Sequence, residues 1–338
     1  MKSLSAAPRL HRSSLVVDLH TDALYEHTRG RRDITIRSDR GHLDLPRMRE
    51  GGVNAQVFAV WNNPLVFRRG QRLGFVLRAC AAFRRICRSR ADTIALALGP
   101  GDVDRIVSSG RIAGILGVEG GHALDADIGN LDRLSRAGAR VFTLTWNSSN
   151  ELGYSCMRKD GSRRGLTRLG REAVRRLNRL GMVIDLSHAS ERTFRDTLEA
   201  SAAPVICSHS ACHALRRFPR NLTDAQLKAL GRAGGVIGIV FLPYFIRRHG
   251  RQVTLDHILD HVEHAAAVAG IDAVALGSDF DGFSDPPPRG LEDVTRMPNL
   301  TAGLLRRGFS DRDVRKVLGL NFLRVWRAVE SRAGQAAR

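Results

Sequence analysis

The sequence predicts a (β/α)8 TIM barrel, and three observations predict it. Eight short apolar runs recur along the 338 residues, helical spacing fills the intervals between them, and five of the runs end in a His, Asp or Glu. The runs cover 15–19, 53–60, 112–118, 140–145, 182–187, 204–208, 236–241 and 273–277. Apolar runs of this length bounded by Gly or Pro belong to strands buried on both faces, as in parallel sheets. A doubly wound open sheet is the alternative architecture, but no glycine-rich phosphate loop follows any of the runs.

The intervening segments read as helices. The stretch 167–180 places Leu169, Ala173, Arg176, Leu177 and Leu180 near one face, with Gly181 at a C-cap position. Ser190 and Thr223 are N-cap candidates. There is no internal repeat, low-complexity tract or long linker, and Asp285-Pro286-Pro287-Pro288 reads as a loop after the last strand. The chain 1–338 is therefore expected to be one catalytic barrel, with 1–14 and 330–338 as flexible ends.

Composition narrows the class. The chain is 43% hydrophobic and 26% charged, enough for a sizeable core and unlike a disordered protein. Its formal charge is +19, and only four of the 53 basic residues are lysines (Lys2, Lys159, Lys228, Lys316). The arginines are spread in pairs such as Arg84-Arg85, Arg175-Arg176 and Arg247-Arg248, without a concentrated block or interleaved aromatics. That pattern argues for solvated helix faces and against nucleic acid as a partner. A non-catalytic binder of anions or nucleic acid through the arginine surface is the reading from a different class, and it leaves a complete ligand set without a purpose. Five cysteines with no CxxC pair fit reduced thiols and a cytoplasmic location. No signal-peptide core or membrane-spanning run is expected, nor a membrane anchor.

The residues at the strand ends carry the chemistry. The first run leads into His20-Thr21-Asp22, the third into Glu119, the fifth into His188, the sixth into His209 and the eighth into Asp279. In barrels of this type the C-terminal strand ends form the active-site face. Any one of these residues alone is weak evidence, since lone strand-end histidines are usually structural. Five at corresponding positions are not. In extended chain His20 and Asp22 point to the same side and suit one ion, Glu119 has an oxygen for each of two ions, and His188 with His209 suits the second. Imidazole and carboxylate together favour Zn²⁺, and a two-zinc centre suits hydrolysis of a carbonyl substrate. Asp279 is then free to relay a proton from water to the leaving amine. By contrast His257, His261 and His264, at helical spacing, are expected on a solvated outer face, and His27 and His42 at the surface.

The ordered segments Val17-Asp18-Leu19-His20-Thr21-Asp22, Gly117-Val118-Glu119-Gly120, Gly181 to His188, Ser208-His209-Ser210, Arg220-Asn221-Leu222 and Gly277-Ser278-Asp279-Phe280-Asp281-Gly282 resemble those of the membrane (renal) dipeptidase family, peptidase family M19. The resemblance runs nearly the whole length. It implies a binuclear zinc site with Glu119 bridging, His20 and Asp22 on one ion and His188 and His209 on the other. Asp279 matches the proton shuttle, and Arg220 the arginine that holds a dipeptide's terminal carboxylate. The implied reaction is hydrolysis of dipeptides, including those with a C-terminal D-residue; a homodimer is compatible with it. The sequence departs from the family at Trp146, in Thr143-Leu144-Thr145-Trp146-Asn147, where family members carry a substrate-contacting histidine. Trp146 and Asn147 are accordingly assigned to substrate contact. Trp146 also keeps open a related amide or lactam hydrolase acting on an N-acyl amino acid. The segment 240–244 is a looser match, and the secretion signal and lipid anchor of the mammalian members have no counterpart.

Overall fold

A computed structural model describes residues 7–158, 163–247 and 252–336, so Lys2, Lys159 and Arg248 lie outside it. Among the described residues nine strands form one parallel sheet: β1 (Val17–Thr21), β2 (Ala55–Trp61), β3 (Ile94–Leu96), β4 (Ile112–Glu119), β5 (Ala139–Thr143), β6 (Val183–Asp185), β7 (Ile206–Ser210), β8 (Val236–Ile239) and β9 (Val274–Leu276). The sheet order is β2-β1-β9-β8-β7-β6-β5-β4-β3, and a β2–β4 pairing closes it. Eight strands thus form the barrel, with helices in the intervals, as the periodicity predicts.

The ninth strand, β3, was not predicted. It pairs with the first half of β4, Ile94 opposite Ile112 and Leu96 opposite Gly114, whereas β5 joins β4 only from Leu116 onward. The apolar run 94–98 is as long as the first run, but only three of its residues pair, and they pair with β4 outside the closed ring of eight.

The barrel interior is filled from the first residues of the strands. Val17, Ala55, Val183, Ile206 and Val236 pack with Phe322 and Trp326 of the helix Asn321–Ala336, which closes the end opposite the ligand-bearing strand ends. A second and larger apolar layer lies between the barrel and its surrounding helices. The predicted N-caps are present: Ser190 accepts from the backbone of Thr193, and Thr223 forms a capping box with Gln226. Thr167, expected as a helical residue, is itself an N-cap that accepts from Gly170, and Leu180 rather than Gly181 is the C-cap of that helix. On the helix Arg168–Arg179, Ala173 and Leu177 are buried, while Arg176 turns outward to an ion pair with Asp132.

Several expectations need correction. Residues 7–14 are not a flexible end. Ala7–Arg12 is a helix whose His11 ring reaches Thr301 Oγ1 at 2.7 Å and Gly51 O at 2.9 Å, tying it to two other elements. Residues 330–336 continue the last helix. His42 is largely buried, stacked on Phe283 at 4.8 Å, and accepts the Asp281 amide at 3.0 Å. His261 is buried as well. Its Nδ1 accepts the Cys212 amide at 3.0 Å and its Nε2 donates to Ile246 O at 3.2 Å. Helical spacing places the three histidines on one face but does not say what that face packs against. His257 joins the Thr254 cap and His264 pairs with Asp224. Among the described residues no helix is long and apolar enough to cross a membrane.

His261 makes stability depend on pH. Burial pushes its pKa from 6.5 down to about 4, against a small opposing pull from the Ile246 carbonyl. The unfolded chain therefore takes up the proton first. The contribution of neutral His261 is whole above pH 6.5 and is lost as pH falls towards about 4, on the order of 3 kcal/mol across that window. Thermal unfolding from pH 8 to 4 should show Tm falling mainly below 6.5. In His261→Gln the loss should already be present at pH 8 and the slope below 6.5 should flatten; an unchanged slope would assign the acid sensitivity to other groups.

Candidate metal centre

The five expected ligands converge at the C-terminal mouth of the barrel. His20 is the penultimate residue of β1, and Asp22 precedes the helix Ala23–Thr28. Glu119 ends β4, His209 lies within β7, and His188 and Asp279 follow β6 and β9. The two glutamate oxygens face different partners. Glu119 Oε1 is 2.9 Å from His188 Nε2 and 3.4 Å from His209 Nε2, and Oε2 is 3.8 Å from His20 Nε2. The same His20 nitrogen is 3.8 Å from Asp22 Oδ2 and 3.9 Å from Asp279 Oδ1. Among the described residues three groupings have ligand atoms mutually within 4.8 Å: Glu119 with His188 and His209, His20 with Asp22 and Glu119, and His20 with His209 and Asp279.

Hydrogen bonds on the far side of each ring fix where its lone pair points. His188 Nδ1 donates to Asn147 Oδ1 at 2.9 Å. His209 Nδ1 is 2.8 Å from Ser208 Oγ, whose own proton goes to Asp185 Oδ2 at 2.7 Å, so the imidazole is the donor. Both rings then present Nε2 lone pairs, and these face each other at 3.0 Å beside a carboxylate oxygen. Burial pushes both imidazoles well below their ordinary pKa, with Arg220 and His20 adding to it, so neither ring supplies the missing proton. Without an ion, a single proton on the Glu119 carboxyl would have to reconcile all three acceptors, whereas a cation takes all three as ligands at once. The buried His20 Nε2 and Asp22 Oδ1 have no hydrogen-bond partner either. The donor set therefore fits metal ions.

The acidic side of the centre has the same demand. Burial pushes the Glu119 carboxyl well above the usual range and that of Asp279 up to about 7, with Asp22 adding to both and His20 opposing. At His20, burial works against the imidazolium, but Glu119, Asp22 and Asp279 outweigh it and hold the ring up to about 10.

A cavity of about 260 Å³ opens onto these groups. Trp146 lines one wall of it and packs on a second indole, Trp61, at 4.9 Å. Asn147 is on the exposed rim and holds His188. Arg220 is buried, donates from Nη2 to His209 O at 3.1 Å, and lies 5.2 Å over the Phe245 ring. Its Nε has no partner, and no carboxylate among the described residues pairs with it.

The sequence profile of membrane dipeptidases, peptidase family M19, matches residues 4–338. The chain belongs to peptidase family M19. It is 36% identical over 299 residues to dipeptidase tcpJ of Claviceps purpurea, an alignment covering 86% of this chain and 70% of the relative. Among solved structures it is similar to a family M19 metallopeptidase named dipeptidase AC (30% identity, TM-score 0.86, covering 94% of this chain and 98% of that one). It is also similar to a metallopeptidase from Rhodobacter sphaeroides (29% identity, TM-score 0.87, 94% and 100% covered). The latter holds a phosphinate mimic of the dipeptide L-Ala-D-Ala. This M19 chain is a metallo-dipeptidase, a hydrolase of peptide bonds.

Four residues that shape the centre of this M19 enzyme are not evident from strand-end chemistry. Asn62 donates to the carbonyls of Glu119 (2.6 Å) and Gly120 (2.8 Å), pinning the end of β4. Trp61 brings a buried indole N–H without a partner to the cavity. Asp18 and Asp185 lie inside strands and bind neighbouring strand ends. The available signal was an acid inside an apolar run, two residues before His20 in one case and three before His188 in the other.

Because a cation takes the acceptors and carboxylates of the centre as ligands at once, its ions should stabilise the fold. A metal at ~1,000 times its Kd would contribute about 4 kcal/mol. Chelation should lower Tm by several degrees and added zinc should restore it. Equal Tm values with and without chelator would mean that the centre binds no ion in the native state.

Proposed function

We propose that this M19 enzyme is a binuclear zinc dipeptidase in which Glu119 bridges, His20 and Asp22 hold one ion, and His188 and His209 hold the other. The observation that carries the reading is the convergence of His188 Nε2, His209 Nε2 and Glu119 Oε1 within 3.4 Å of one another. Bound there, two zinc ions supply Lewis-acid charge to the scissile carbonyl oxygen and to the attacking water.

The chain's own residues complete the reaction. Asp279 faces the cavity, and its carboxyl, raised by burial to about 7, is suited to take a proton from water and return it to the leaving amine. Arg220 offers a buried guanidinium with a free Nε–H to the substrate's terminal carboxylate. Trp61 and Trp146 form an apolar wall that excludes water beside the reacting bond, and Asn147 keeps His188 oriented. The L-Ala-D-Ala mimic held by the Rhodobacter relative supports a substrate class that includes C-terminal D-residues. Five free cysteines support a reducing, cytoplasmic setting. Where family members carry histidine, Trp146 supports a second reading, in which the same machinery favours an N-acyl amino acid or other non-dipeptide amide.

Metal content and hydrolysis of an L,L and L,D dipeptide panel test both readings. Two zinc ions with dipeptide turnover support the first; two ions with turnover only of N-acyl amino acids support the second; an absence of metal defeats both. Asp279→Asn should keep both ions and lose about 10²–10⁴ in kcat, and near wild-type turnover would remove Asp279 from the mechanism. Arg220→Ala should raise KM for free dipeptides by about tenfold or more, the loss of a charge-assisted hydrogen bond, while amidated dipeptides should be indifferent to the change.

A further inference from the structure

The Asp185 carboxylate is fully buried and touches no part of the cavity, yet its contacts run to the centre. Oδ1 accepts two backbone amides, from Ser187 at 3.0 Å and Ser208 at 2.8 Å. Oδ2 accepts two hydroxyls, from Thr143 at 2.6 Å and Ser208 at 2.7 Å. An ionised carboxylate can only accept, so the Ser208 proton is committed to Asp185. The Ser208 oxygen is left with lone pairs, which meet His209 Nδ1 at 2.8 Å as the short contact, with the Ser187 hydroxyl at 3.3 Å and His20 Nδ1 at 3.4 Å as longer ones. One hydroxyl therefore imposes the Nδ1–H form on His209, and over a longer contact on His20. These are the two imidazoles assigned above to different ions.

We propose that Asp185, acting through Ser208, is a positioning residue that sets the tautomer of His209 and His20, so that both present Nε2 lone pairs to the metal centre. The inference rests on the ligand assignment of the preceding section. Its chemistry predicts an inversion. In Asp185→Asn the two backbone amides keep the amide oxygen, which places the NH₂ group towards Thr143 and Ser208. Ser208 Oγ then accepts from the amide, and its own proton turns to His209 Nδ1 at 2.8 Å in preference to the Ser187 hydroxyl at 3.3 Å. His209 is driven to the Nε2–H form, which has no lone pair for an ion. Ser208→Ala only removes the bias, and should be the milder change.

The experiment measures two quantities in the full chain: histidine tautomers by ¹⁵N NMR on metal-free protein near pH 8, and zinc affinity by chelator competition. Wild type should show His209 as Nδ1–H. Asp185→Asn should show it as Nε2–H, with zinc affinity reduced about 10- to 100-fold. Ser208→Ala should lose less. The double variant Asp185→Asn/Ser208→Ala should bind zinc as Ser208→Ala does, because the inverted hydroxyl is gone. Persistence of Nδ1–H in a folded Asp185→Asn protein would overturn the proposal, as would a double variant no better than Asp185→Asn. If wild type shows Nδ1–H but binds no zinc, the ligand assignment fails while the relay stands on the tautomer data.

Discussion

The constraint on which the rest depends is the burial of acceptors around acceptors. Asp22, Glu119 and Asp279 meet His20, His188 and His209 in one layer at the strand ends, and Arg220 is the cationic side chain lining the cavity. Removing an ionised carboxylate from water costs several kcal/mol unless it is paired, and lone pairs facing each other at 3.0 Å add to that cost. Each group satisfies itself singly at the others' expense: protonating His20 helps the carboxylates but spoils a ligand. Divalent cations satisfy the whole layer. The arrangement is therefore unfavourable as packing and favourable as a metal centre, which is how a site differs from a core.

Backbone strain accumulates at the same place. His188 and Asp279 have φ of 70° and 61°, in the left-handed region that side chains rarely occupy. Two similar clasps hold the chain beside them. On β1, Asp18 accepts the Ser278 amide at 2.7 Å and the Ser278 hydroxyl at 2.6 Å, just before Asp279. On β6, Asp185 does the same for Ser208, just before His209. In each clasp an acid from one strand grips a serine on its neighbour and fixes the residue that follows. Gly238 and Gly277 leave room for this, since a Cβ at either would lie within 2.0 Å of the Ser208 carbonyl oxygen. The clasps convert strand register into site geometry, and a slip of one residue would turn the ligands away from the mouth.

How far the sequence discloses this depends on what each residue does. His20, Glu119 and His209 were legible because strand ends are marked by apolar runs, and a barrel gathers those ends on one face. Arg220 was legible only through resemblance, since it lies on a loop with no periodicity to place it. His261 was misplaced because spacing at i, i+4 and i+7 defines a face but not its neighbour. Asp18 and Asp185 looked like ordinary motif positions, because a buried acid shows its role only when its partners on another strand are known. β3 escaped because it adds three residues to a strand that already had its partners.

The substitution at Trp146 shows how one position can change without dismantling this order. The indole stands beside the centre without a hydrogen bond to a ring nitrogen, its ring centre 6.3 Å from that of His188 and tilted by 40° to it. The orientation of His188 rests instead on the next residue, Asn147, whose side-chain oxygen takes the Nδ1 proton. Trp146 is thereby released to pack on Trp61, which in turn packs on Tyr25 at 5.2 Å. Imidazole orientation and cavity wall are thus divided between neighbouring side chains in one loop. The wall can become more apolar while every lone pair facing the ions stays where Asn147, Ser208 and Asp185 put it. Substrate preference and metal chemistry can therefore vary independently in this barrel, the first on the rim and the second on the strands beneath it.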